Sequence, residues 1–148
     1  MRTQRELDDL SGHVIVRGNG IFGGTISNTL ANAGHDVVAV ERDEHSIDRI
    51  EIDAITPIQG DARTEGTLQN AGIERAAVVV AAIDNSNATI EVAILVSPLA
   101  PDVRAIVRVG NDRYSRLARR AGVDEVVIPE ITSGQYVSQF ISDEPPSD

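Results

Sequence analysis

Hydrophobic positions along this chain gather in six short runs, near residues 13 to 17, 36 to 41, 55 to 59, 76 to 82, 103 to 108 and 125 to 128. Between them the apolar residues adopt a helical period. Phe22, Ile26 and Leu30, for example, recur every fourth residue and mark one face of a helix. Apolar runs alternating with helical stretches predict a parallel sheet covered by crossover helices. Ala33-Gly34, Ala71-Gly72 and Ala121-Gly122 each fall shortly before a run and read as helix C-caps, the glycine supplying a left-handed residue. Pro57 lies inside the third run. Proline cannot donate to a ladder, so this strand is expected at an edge, as the third strand is in the order 3-2-1-4-5-6. The expected fold class is α/β: a Rossmann-like, doubly wound parallel sheet in that order, with an extra C-terminal helix.

Residues 1–11 read as an N-terminal linker, 12–130 as the nucleotide-binding domain, 131–141 as a helix outside the sheet and 142–148 as a flexible tail. Residues 98–101, bounded by two prolines, read as a loop. On the C-terminal helix Tyr136, Val137, Phe140 and Ile141 share one side. Such a stripe either folds back on its own core or docks on a partner, and both remain open at this stage.

The chemistry is concentrated where the first run ends. His13-Val-Ile-Val-Arg-Gly18-Asn-Gly20-Ile-Phe-Gly23 is a strand entering a GxGxxG turn and a helix, and the second run stops on an acid, Glu41. In this motif the second glycine lets backbone N–H groups approach a pyrophosphate and the third lets the helix lie close to the sheet. The helix N-terminus faces the anion with unpaired N–H groups and the positive end of its dipole. Glu41 is placed to accept hydrogen bonds from a ribose diol. Its charge disfavours a 2′-phosphate, an effect that Arg42 offsets in part.

Composition narrows the possibilities. The chain has 148 residues, 41% of them hydrophobic, enough for one domain core. No apolar run reaches the 18 or so residues of a membrane span, no signal peptide opens the chain, and a cytoplasmic location without direct membrane insertion is expected. There is no cysteine, hence no disulfide or thiolate site. Net charge is −10, and all 13 basic residues are arginine. An acidic, lysine-free surface fits a high-salt cytoplasm and a halophilic source. It disfavours nucleic acid as a partner, which needs a basic face. The local cluster Arg113, Arg116, Arg119 and Arg120 reads as solvated or paired with acids, and the acidic pairs read as surface rather than metal ligands.

Further motifs match one family. They are the Leu10-Ser-Gly-His13-Val-Ile-Val lead-in, Gly60-Asp61-Ala62 after the third run, Ala71-Gly-Ile-Glu-Arg-Ala before the fourth and Ala81-Ala-Ile-Asp84 after it. Ala105-Ile-Val-Arg108 with Asn111, and Arg120-Ala-Gly-Val-Asp-Glu-Val-Val-Ile-Pro129-Glu, complete the set. Over about residues 8 to 141 the chain resembles the regulator-of-potassium-conductance N-terminal domain, also called TrkA-N, in the form appended to channels. The resemblance implies a cytoplasmic regulatory domain, peripheral to or fused with a membrane potassium channel or transporter subunit. It would bind NAD(H) or ATP/ADP, and would pair as a homodimer or build a larger ring. Carried over by position, Gly18, Asn19, Gly20, Ile21, Phe22 and Gly23 would hold phosphates and Glu41 the ribose. Asp61 and Ala62 would flank the adenine, Ala82, Ile83 and Asp84 would line the cleft, and Arg108 would approach phosphate or the dimer contact.

Two departures stand out. Arg17 occupies a position where the family usually has a small residue, and such a cation either crowds the turn or adds a phosphate contact. Arg108 and Gly110 replace acids that calcium-gated relatives carry, so an equivalent calcium site is not expected. The rival readings are the cofactor-binding fragment of an NAD-dependent oxidoreductase and a methyltransferase. The first needs a proton donor, yet His13 and His35 fall at the amino ends of strands and His45 begins a helix. The second wants a GxGxG turn and a seventh, antiparallel strand, and neither is found. The expectation is therefore a non-enzymatic sensor.

Overall fold

A computed structural model describes residues 4–83 and 85–142. Asp84 and all of the expected tail except Ser142 lie outside the described residues. In chain order the elements are α1 (Gln4–Asp8), β1 (Val14–Arg17), α2 (Ile21–Asn32), β2 (Val37–Glu41), α3 (Glu44–Asp48), β3 (Ile55–Gln59) and α4 (Glu65–Asn70). They continue with β4 (Val78–Ala81), α5 (Ser86–Leu99), β5 (Arg104–Arg108), α6 (Asp112–Arg120), β6 (Glu125–Val127) and α7 (Pro129–Ile141). The six strands form one sheet in the order β3-β2-β1-β4-β5-β6, every pairing parallel. Pro57 sits on the edge strand β3, opposite Ala39.

The sheet is buried on both faces, which is why its strands are continuous apolar runs rather than alternating ones. Val14, Val16, Val37, Ala39 and Val80 face one layer, against which Phe22, Ile26 and Leu30 of α2 pack. Ile15, Val38, Val40, Val79 and Val107 face the other, with Leu68 of α4, Val92 and Val96 of α5 and Ala118 of α6. Fully burying a Val or Ile contributes about 1.5–3 kcal/mol each, so these two layers supply the main stabilisation. The deepest positions of α2 are Gly23, Ser27 and Ala31, all small, so the helix backbone comes close to the sheet while the larger residues flank it.

The three Ala-Gly caps have the expected geometry, with φ of +93° at Gly34, +73° at Gly72 and +92° at Gly122. Two segments differ from the sequence expectation. Residues 98–101 are not all loop, because α5 continues through Pro98 to Leu99. Pro98 lies in the last turn, where the bond it cannot donate would go to Ile94, a residue that is 58% exposed. Residues 4–8 form α1, and Leu7 joins the core layer that holds Leu68, Val92 and Val96. α7 begins at Pro129, two residues before the expected start, and has no buried residue. Its stripe does not fold back on the core: Tyr136, Val137, Phe140 and Ile141 are 55–79% exposed, and Tyr136 and Phe140 stack edge to face at 4.9 Å.

Candidate functional site

Sheet order reverses direction between β1 and β4, and at their carboxyl ends the loops after β1 and β4 diverge to open a cleft. Its volume is about 610 Å³. Gly18 and Gly20 form its floor, Ile21, Phe22 and Thr25 of α2 one wall, and Glu41, Ala82, Ile83, Arg108 and Pro129 the rest.

The glycine loop is shaped by contacts only glycine permits at two positions. A Cβ on Gly23 would lie 2.1 Å from the Gly18 carbonyl oxygen. Gly18 has φ +96°, and a side chain there would press on Ile83 and the Ala82 carbonyl. Gly20 differs: a Cβ on it meets nothing within 4 Å. It occupies the N-cap of α2 with extended backbone, and no side chain among the described residues caps this helix. The first-turn N–H groups therefore face the cleft, a ready anion site.

Glu41 ends β2 and binds the loop. Its Oε2 accepts the Asn19 backbone N–H at 2.7 Å, and Oε1 accepts those of Arg42 and Asp43 at 3.0 Å each. Asn19 Nδ2 in turn donates to the Ser46 carbonyl at 2.6 Å, tying the loop to α3. Glu41 is thus a staple as well as a cleft residue, with one lone-pair position, on Oε2, remaining for a ribose hydroxyl. Across the cleft the Arg108 guanidinium lies 5.1 Å from the Phe22 ring centroid, and its Nη2 donates to Glu130 Oε1 at 3.4 Å.

The structure brings together Gly18, Gly20, Ile21, Phe22, Glu41, Ala82, Ile83 and Arg108 around the cleft, with Asn19 and Gly23 shaping its loop. It places Arg42, Asp61 and Ala62 off the lining. Ala62 is buried in the core layer under α4. Asp61 is gripped by Arg63, whose Nε and Nη2 donate to the carboxylate at 2.8–3.2 Å, and Arg42 stands 3.9 Å from it. The Arg63 hydrogen bonds hold the Asp61 carboxyl down to about 2. Arg17 is 6% exposed, and its Nη1 has no hydrogen-bond partner among the described residues. Burial lowers its pKa, while Asp61 and Glu41 oppose that shift and Arg63 and Arg42 add to it. Thr25 and Pro129 line the cleft without having been singled out as site residues. Thr25 lies one turn after Ile21 on the same helix face, and Pro129 belongs to the Ile-Pro-Glu ending quoted above.

None of the three histidines lines the cleft. His13 is buried at the amino end of β1, its Nε2 donating to the Ala71 carbonyl at 2.8 Å. No helix among the described residues is long and apolar enough to cross a membrane, and no group of three or more metal-ligating side chains occurs among them.

Comparison with known proteins agrees with this architecture. The TrkA-N domain family matches residues 14–129. The Trk system potassium uptake protein TrkA homolog of Methanothermobacter thermautotrophicus is 33% identical over 132 residues, which is 88% of this chain and 60% of that protein. This chain therefore spans less than two thirds of that relative's length. The crystal structure of the TrkA-N domain of the inner membrane protein ybaL from Escherichia coli superposes with a TM-score of 0.85 at 21% identity, covering 90% of this chain and 99% of that one. The GsuK channel bound to NAD gives a TM-score of 0.79 at 20% identity over 89% of this chain and 24% of the channel chain. The glycine loop, the acid at the end of β2, the strand order and these matches lead to one conclusion: the chain belongs to the TrkA-N domain family.

Proposed function

We propose that this chain is a cytoplasmic nucleotide-sensing regulatory domain of a potassium channel or uptake system, binding NAD(H) or ATP/ADP and acting by binding rather than catalysis. The observation that carries the reading is the cleft itself. A helix N-terminus that no side chain among the described residues caps, an open Gly20 and Glu41 face the same space, and this is the arrangement a pyrophosphate and a ribose require. Arg108 supplies a cation on the opposite wall. The NAD bound to the GsuK channel and the potassium-uptake role of the TrkA homolog support the ligand class and the process. NAD and ATP/ADP share the adenosine half that these groups address.

Regulation follows from differential binding. A nucleotide biases two arrangements of paired domains only by binding one of them more tightly, about 1.4 kcal/mol for each factor of ten. The exposed stripe on α7 offers a surface through which a second copy would pair. The test is isothermal titration of NADH, NAD, ATP and ADP in high-potassium buffer, with Glu41→Ala in parallel. Saturable binding weakened by the substitution supports the reading. Failure to bind any of the four sinks it and leaves an assembly module.

A further inference from the structure

Arg108 stands where the cleft meets α7. One face of its guanidinium covers Phe22, the second residue of α2, and one edge reaches Glu130, the second residue of α7. Pro129 lines the same cleft. α7 has no buried residue, and its first turn meets the domain through Pro129 on the cleft and Glu130 on Arg108. We infer that Glu130 is a ligand-responsive counter-ion. It occupies Arg108 when the cleft is free of anions and yields it to a ligand's phosphate, so that phosphate binding and the anchoring of α7 compete. This deepens the nucleotide reading above and rests on it.

Three features favour the exchange. The Arg108 side chain is 18% exposed and packed on Phe22, so it stays in the cleft wall whichever anion it meets. The Glu130 side chain is 66% exposed and returns to water at little cost. Exposed ion pairs of this kind are weak, whereas a phosphate brings more charge and more acceptor oxygens to one guanidinium. Linkage makes the effect reciprocal: whatever Glu130 takes from phosphate affinity, phosphate takes from the hold on α7.

The experiment titrates ADP and, separately, adenosine into the full chain carrying Glu130, Glu130→Gln or Glu130→Asp, and follows amide exchange in the first turn of α7 with and without ADP. Glu130→Asp keeps a charge at the helix N-terminus but shortens the reach to Arg108. Both variants are expected to bind ADP about two- to fivefold more tightly, the weight of an exposed pair, with adenosine affinity unchanged. ADP is expected to speed first-turn exchange in the unsubstituted protein and to have less effect in either variant. Unchanged ADP affinity in both variants, or an equal gain for adenosine, overturns the inference while leaving the nucleotide reading intact. If the unsubstituted chain binds no nucleotide, both fall together.

Discussion

Gly20→Asp separates the ligand site from the fold. A side chain at this position enters open space, and Gly20 is already the N-cap of α2 with the extended backbone that a capping residue uses. Aspartate is among the best N-cap residues and gains a few tenths of a kcal/mol over glycine there. The folded domain should therefore melt at the same temperature or slightly higher. The new carboxylate, however, takes the N–H groups a phosphate would use and sets a like charge beside it. Two unit charges about 4 Å apart repel by about 1 kcal/mol in water and about 4 kcal/mol near a protein surface. This open cleft lies between those limits, so nucleotide affinity should fall about five- to several-hundredfold. Thermal melting and isothermal titration on the same sample check both halves. Nucleotide binding within about twofold of the parent, with the melt unchanged, would refute the assignment of this helix end as the phosphate site.

Gly23→Ala should act in the opposite sense, on the fold: its Cβ would lie 2.1 Å from the Gly18 carbonyl oxygen, and overpacking of this kind costs about 1–3 kcal/mol, read as a lower urea midpoint with unchanged slope. Glu41→Ala removes an acceptor of three backbone N–H groups and should cost about 1–3 kcal/mol in stability as well as nucleotide affinity, measured by urea unfolding and titration. The Asp61 carboxyl, lowered from 3.8 to about 2 by Arg63, contributes stability that is present above about pH 4 and lost as pH falls toward 2. Unfolding followed across that window should therefore show a shallower acid dependence in Asp61→Asn. Arg17→Met removes a guanidinium that burial penalises and whose Nη1 has no hydrogen-bond partner among the described residues, so the melting temperature, read by thermal melting, should hold or rise.

Most of the architecture was legible because apolar runs in this fold stop where strands stop. Val14–Arg17 and Val37–Glu41 lie within one residue of their runs, and Pro57, Gly34, Gly72 and Gly122 announced an edge and three caps through backbone chemistry that does not depend on neighbours. Pro98 misled because the rule against proline in helices weakens in the last turn, when the residue whose bond it withholds is exposed, as Ile94 is. The cleft was legible where backbone motif and chemistry coincide, at Gly18, Gly20 and Glu41. It was less so after β3, where the direction a loop residue faces is decided by α4 packing over Ala62 and by Arg63 seizing Asp61, both tertiary outcomes. Pro129 lines the cleft more than a hundred residues after the glycine loop, a proximity that no local pattern encodes.

Pro57 also bears on how such domains avoid sticking to one another. The Ala54 carbonyl and the Gly60 amide both bond to β2, so the even-numbered groups of β3 face inward and Ile55, Pro57 and Gln59 point to the free side. The Ile55 amide is taken by the Ile52 carbonyl and Pro57 has none, which leaves Gln59 as the single outward donor along β3. An incoming strand would find outward carbonyls but a single donor there, and at the opposite border β6 is three residues long. Amyloid-like growth and domain exchange by strand addition are thereby discouraged at both borders of the sheet.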